Sequence, residues 1–79
     1  MWKEGTIGIP KEDGGYTACK YWLKHFDEPS IYGIDKGRIS KLMLKINGEV
    51  VCNFDRGWDI RPTWEEAEKA LAILLHEYN

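Results

Sequence analysis

Seventy-nine residues, 43% hydrophobic and 13% aromatic, bound the chain to one domain, residues 1 to 79, with room for a single core. A net charge of -2, from 11 basic and 13 acidic residues, gives no global pull toward nucleic acid or an anionic membrane, so any basic surface has to be local. No apolar run reaches the roughly 18 residues that a membrane span needs, and the opening MWKEGTIGIP lacks the charged-then-apolar layout of a secretory signal, so the expected location is the cytoplasm.

Residues 2 to 9, WKEGTIGI, read as a short edge strand, because Pro10 has no amide proton and Gly5 and Gly8 weaken the run. KEDGG at 11 to 15 is turn chemistry. Residues 16 to 25 alternate: Thr17, Cys19, Tyr21 and Leu23 make the better core face, which leaves Tyr16, Ala18, Lys20, Trp22 and Lys24 on the other. Residues 26 to 37 form a loop broken by Pro29, Gly33 and Gly37, although Ile31, Tyr32 and Ile34 are too apolar for an idle linker.

RISKLMLKINGEVVCNFDRGWD, residues 38 to 59, reads as a β-hairpin running into a charged, aromatic turn. Asn47-Gly48 by itself suggests a two-residue loop, which would pair Lys45 with Val50 and Lys41 with Phe54 and so mix charge with core. A three-residue loop, Ile46-Asn47-Gly48, places Leu44 opposite Val50, Leu42 opposite Cys52 and Ser40 opposite Phe54, with Lys45, Met43 and Lys41 on the other face. The segregating register is the expected one.

Beyond Phe54, Asp55, Arg56, Asp59 and Arg61 alternate in sign around Gly57 and Trp58. Thr63 with Glu66 predicts a capping box that starts a helix at about Trp64. At 100° per residue, Trp64, Ala67, Leu71, Leu74, Leu75 and Tyr78 gather on one face, and Ile73 falls opposite. The expected architecture is α+β: a four-stranded, mainly antiparallel sheet with one C-terminal helix on one face, the other face largely open (ββββα).

Reaction chemistry has little support in these residues. Cys19, Cys52, His25 and His76 show no paired metal-ligand spacing, so no metal and no cofactor are expected, and both Cys read as small buried hydrophobes. Gly33 to Gly37 precedes a strand where a phosphate loop needs a helix. The chain therefore reads as a non-enzyme without catalytic residues. Tyr16, Lys20, Trp22, Lys24, Lys41, Met43 and Lys45 would share the open sheet face, a composition with which single-strand nucleic-acid binders stack bases and neutralise phosphates; the bland alternative is that lysine stems merely solvate the rings. In the DRGWD turn, Arg38, Asp55, Arg56, Trp58 and Asp59 form a candidate structural corner, with Trp58 buried against Trp64 or Leu71 and an arginine paired to Asp55 or Asp59. An interaction hot spot is the other reading of the same turn.

GIDKGRISKL (residues 33 to 42) together with NFDRGWDIRP (residues 53 to 62) resembles a family of short bacterial proteins of unknown function associated with Firmicutes, their phages and mobile elements. The likeness spans most of the chain and carries no assigned activity. It implies a small cytoplasmic accessory protein. The functional expectation is a binding module that recognises another macromolecule, a protein first because Trp22, Tyr32, Trp58 and Ile73 stand outside the predicted core, and single-stranded nucleic acid second.

Overall fold

The computed structural model describes residues 1–79. Strands β1 (Trp2–Pro10), β2 (Tyr16–His25), β3 (Ile39–Ile46), β4 (Glu49–Asp55) and β5 (Trp58–Ile60) form one antiparallel sheet in the order β1-β2-β3-β4-β5, and helix α1 (Glu65–Tyr78) follows. The expected class is right, but the sheet has five strands rather than four. β1 is an edge strand, and Pro10 ends it where a missing N–H costs the ladder nothing. No helix is long and apolar enough to cross a membrane.

The extra strand comes from the DRGWD segment. Asp55, Arg56 and Gly57 reverse the chain, and Trp58–Ile60 pairs back onto β4 with Phe54 opposite Trp58 and Asn53 opposite Ile60. The left-handed residue of this turn is Arg56, with φ 60°, not Gly57. The Arg56 N–H donates to Ser40 O at 3.0 Å and the Asp55 N–H to Gly57 O at 2.9 Å, so the reversal is held by backbone hydrogen bonds on both sides.

The β3–β4 register also differs from the expectation. Asn47 (φ 53°) and Gly48 (φ 79°) make a two-residue turn, with Ile46 opposite Glu49 and Lys45 opposite Val50. A bulge then adds one residue to β4, so that Leu44 faces Cys52, Met43 faces Asn53, Leu42 faces Phe54 and Lys41 faces Asp55. The apolar and charged faces still separate, because the bulge restores the alternation that the two-residue turn alone would have broken. Ile39, Leu42, Leu44, Ile46, Cys52 and Phe54 are buried.

Helix α1 lies over β1, β2 and β3. Ala67, Ala70 and Leu74 are its buried residues; the two alanines let the helix sit close to the sheet and Leu74 packs into the core with Ile9, Cys19 and Leu23, while Leu71, Leu75 and Tyr78 flank them half-buried. The expected capping box is absent. Trp64 is the extended residue ahead of the first turn, caps nothing with its side chain, and is exposed rather than part of the buried stripe. Glu65, Glu66 and Glu68 occupy the first turn, where the helix dipole favours negative charge.

The connection from β2 to β3 is ordered by a knot of hydrogen bonds. Gly37 O accepts from the Ser30 N–H at 3.0 Å, and a tight turn over Ile34–Lys36, with Asp35 and Lys36 at φ 50° and 58°, buries Ile34 completely. Ile31 and Tyr32, by contrast, stay exposed. The end of α1 closes the knot: Asn79 Oδ1 accepts from the Ile39 N–H at 2.9 Å and Asn79 Nδ2 donates to Ile34 O at 3.0 Å.

Candidate functional site

Residues directly opposite on neighbouring antiparallel strands share a face. β2 and β3 pair Lys20 with Lys45, Trp22 with Met43 and Lys24 with Lys41, while β1 sets Trp2 opposite Lys24, Glu4 opposite Trp22 and Pro10 opposite Tyr16. The face away from the helix therefore carries Tyr16, Lys20, Trp22, Lys24, Lys41, Met43 and Lys45 together, the membership read from alternation. Trp2 and Glu4 join it through β1, and Asn53 and Asp55 through β4.

Two pairs of like charges thus stand across from each other around a Trp–Met pair, and like charges directly opposite destabilise a sheet. Part of that cost is offset by the rings. Lys45 Nζ lies 5.7 Å from the centre of the Trp22 ring, and Lys24 Nζ lies 5.7 Å from that of Trp2 and 5.3 Å from that of Phe26. Lys41 Nζ approaches Asp55 Oδ1 at 3.8 Å, both side chains being well exposed, so the pair contributes little. The rings are only partly covered: Trp2 remains 61% and Tyr16 72% exposed. A shallow cleft of about 170 Å³ runs between Trp2, Trp22, Met43 and Asn53 on this face.

Tyr32 is the one candidate off the sheet. It stands in the β2–β3 connection at the end of the lysine face, its ring centre 5.2 Å from the Arg56 guanidinium. That contact is what Arg56 does in place of an ion pair, and the expected arginine–aspartate corner does not form. Asp55 pairs with Lys41, Asp59 Oδ2 accepts from Asn53 Nδ2 at 3.1 Å, and the Arg61 guanidinium lies 5.0 Å over the Trp58 ring. Arg38 makes no ion pair; its carbonyl accepts the Phe26 N–H at 3.0 Å. Trp58 is half-buried edge-on to Phe54, ring centres 5.1 Å apart, rather than beneath the helix against Trp64 or Leu71.

Trp2, Phe26 and the Arg56–Tyr32 contact went unread in the sequence. The only local signal for them was an arginine placed before a glycine in a turn, and the register that brings Trp2 beside Lys24 is not local.

Cys19 and Cys52 are free, fully buried thiols. Burial raises the thiol pKa of both, that of Cys52 to about 12, with the neighbouring Cys19 adding to the rise. Such thiols are neutral and inert at ordinary pH. No three His, Cys, Asp or Glu side chains converge as a ligand group would require. His25 has both ring nitrogens shielded and without a partner, its ring packed 5.3 Å from that of Tyr78.

No curated protein and no solved structure matches the chain. A family model described as Domain of unknown function (DUF7678) matches residues 1–79, the chain's full length, and the protein belongs to that family.

Proposed function

We propose that the protein is a non-enzymatic binding module that takes up single-stranded nucleic acid along its open sheet face. The observation that carries this reading is the pairing of Lys20 with Lys45 and of Lys24 with Lys41 on either side of Trp22 and Met43. A sheet that holds like charges opposite one another is under electrostatic strain, which an anionic partner relieves. Phosphates set beside the lysines and bases stacked on Trp22, Trp2 and Tyr16 supply that relief, and stacking tolerates any base because every base has a π-face. The reading extends to a cytoplasmic accessory protein of a bacterium or its mobile elements, supported by the sequence likeness of residues 33 to 42 and 53 to 62.

A labelled oligonucleotide titrated at two salt concentrations tests it. Four phosphates neutralised by four lysines correspond to a slope of log K against log salt of roughly -3 for a single strand, which is about 50-fold in affinity between 50 and 200 mM. Trp22→Ala should weaken binding with little change in melting temperature. Absence of binding at low salt, or binding indifferent to salt, overturns the proposal.

A protein partner is the second reading. Ile73, exposed on the outer face of α1 beside Ala72, favours it. Trp22, Tyr32, Trp58 and Ile73, whose surplus first suggested a protein, are spread over the open face, the connection, the sheet edge and the helix back, and they build no common patch. Binding to a protein would survive high salt and would be lost with Ile73→Glu.

A further inference from the structure

At one end of the lysine face the β2–β3 connection walls off a cleft of about 290 Å³, close to the roughly 300 Å³ lower bound of small-molecule sites. Lys24, Lys41 and Arg56 are its charged lining, Phe26 and Tyr32 its rings, and no carboxylate lines it. Asp55 holds Lys41 only through a 3.8 Å pair, a contact loose and exposed enough for a stronger anion to displace. Ser30 Oγ accepts from the Tyr32 N–H at 3.1 Å, which leaves the hydroxyl hydrogen free to donate, whereas Ser40 Oγ already donates to Lys24 O at 3.3 Å.

Arg56 is the unusual member. Its φ of 60° is a conformation that side chains resist and glycine accepts, yet the residue with it is Arg56, with Gly57 next in the chain. The turn is anchored by the Arg56 N–H on Ser40 O, and its result is to lay a guanidinium over Tyr32 at the cleft. Strained backbone that positions a charged side chain is characteristic of binding sites.

We propose that this cleft binds the phosphomonoester of a nucleotide, with Lys24, Lys41 and Arg56 around the phosphate and the base stacked on Tyr32 or Phe26. A phosphomonoester carries about -1.5 to -2 charges at neutral pH, which matches three cations without a lining acid better than the single charge of an internal phosphodiester. A guanidinium also meets a phosphate with two parallel hydrogen bonds. The phosphate has two sources, the end of a nucleic-acid strand lying along the lysine face or a free mononucleotide. With the first source, the inference rests on the nucleic-acid reading above; with the second, it stands apart from it.

The experiment compares oligo-dT bearing a 5′-phosphate, a 3′-phosphate or neither, by fluorescence anisotropy, and thymidine monophosphate against thymidine, by calorimetry. Each is repeated with Arg56→Gly, a variant that keeps the backbone at ease because glycine accepts φ 60°. A terminal phosphate on one end should tighten strand binding at least 10-fold, and Arg56→Gly should abolish that gain while the unphosphorylated strand binds as before. Thymidine monophosphate binding, lost in Arg56→Gly and absent for thymidine, supports the cleft even where no strand binds, and then the strand-binding reading falls alone. Strands that bind equally with and without a terminal phosphate, with no mononucleotide binding, overturn the cleft and leave that reading standing. Binding of neither overturns both.

Discussion

Asn79 and Gly37 occupy adjoining space so closely that a Cβ on residue 37 would fall on the Asn79 amide. The same amide accepts from the Ile39 N–H and donates to Ile34 O, so the end of α1, the tight turn and the start of β3 are joined at one side chain. Gly37 O also accepts the N–H of Ser30, a residue that lines the cationic cleft, so the junction is tied to the wall of that cleft.

Asn79→Ala leaves the partly buried Ile39 N–H without its partner, while Ile34 O keeps the Gly37 N–H at 2.8 Å, and should destabilise the protein by roughly 1–3 kcal/mol. Gly37→Ala should do the same by displacing the amide. Because both changes break one contact, the double variant should cost clearly less than the sum of the two single ones. Chemical denaturation of the four proteins measures the coupling, and strict additivity would show that the two residues act apart.

Phe54 and Trp58 meet edge to face, but Phe54 is 4% exposed and Trp58 only half-buried. Phe54→Ala should therefore cost about 3–5 kcal/mol, the range for a large buried ring. Trp58→Ala should cost roughly 1–3 kcal/mol and still melt cooperatively. Thermal unfolding followed by circular dichroism ranks the two, and the reverse order would place Trp58 deeper in the core than its exposure indicates.

Gly48 has φ 79°, whereas Gly57 has no positive φ and open space around its Cα. Gly48→Ala should lose about 1 kcal/mol, since an L side chain resists that conformation. Gly57→Ala should be neutral or stabilise by up to about 1 kcal/mol through a less flexible unfolded chain. Denaturant midpoints with unchanged slopes would check both signs.

The Cys52 thiol ionises at about 12 in the folded protein against an ordinary 9.0, through burial first and the nearby Cys19 second. A raised folded pKa means that the unfolded chain releases this proton earlier, so the contribution to stability is whole below pH 9 and is lost as pH climbs toward 12. Cys52→Ala should flatten that alkaline limb in a series of melts. Both native thiols should resist alkylation at pH 8 and react fully in denaturant.

Lys20 faces Lys45 directly. Lys20→Glu replaces a repulsive cross-strand pair with an attractive one and should raise stability by about 0.2–1 kcal/mol, while it removes positive charge from the open face and weakens strand binding at low salt. Stability and binding moving in opposite directions distinguishes a face kept for a partner from one kept for folding. A variant that binds the oligonucleotide as tightly as the parent would separate Lys20 from the site.

Local alternation was enough to assign side chains to faces in β2 and β3, but not in β4, where the bulge buries Val51 in place of the expected Val50. Thr17, Cys19, Tyr21 and Leu23 against Lys20, Trp22 and Lys24, and Leu42 and Leu44 against Lys41, Met43 and Lys45, follow from the period of two along each strand, and the helix stripe follows from its own period apart from Trp64, which is exposed, and Ala70, which is buried outside the expected set. The antiparallel α+β class and the membership of the lysine face were legible for that reason. A period of two cannot distinguish registers that differ by two residues, so Leu44 against Val50 and Leu44 against Cys52 look equally good in sequence. Only the turn at Asn47-Gly48 and the bulge after it chose the second. Likewise β5, the Asn79 clamp and the Arg56–Tyr32 contact join residues whose neighbours are set by the folded backbone. No residue type announces that an arginine will take the left-handed position beside a glycine, because the hydrogen bond from its N–H to Ser40 exists only once β3 and β4 have paired.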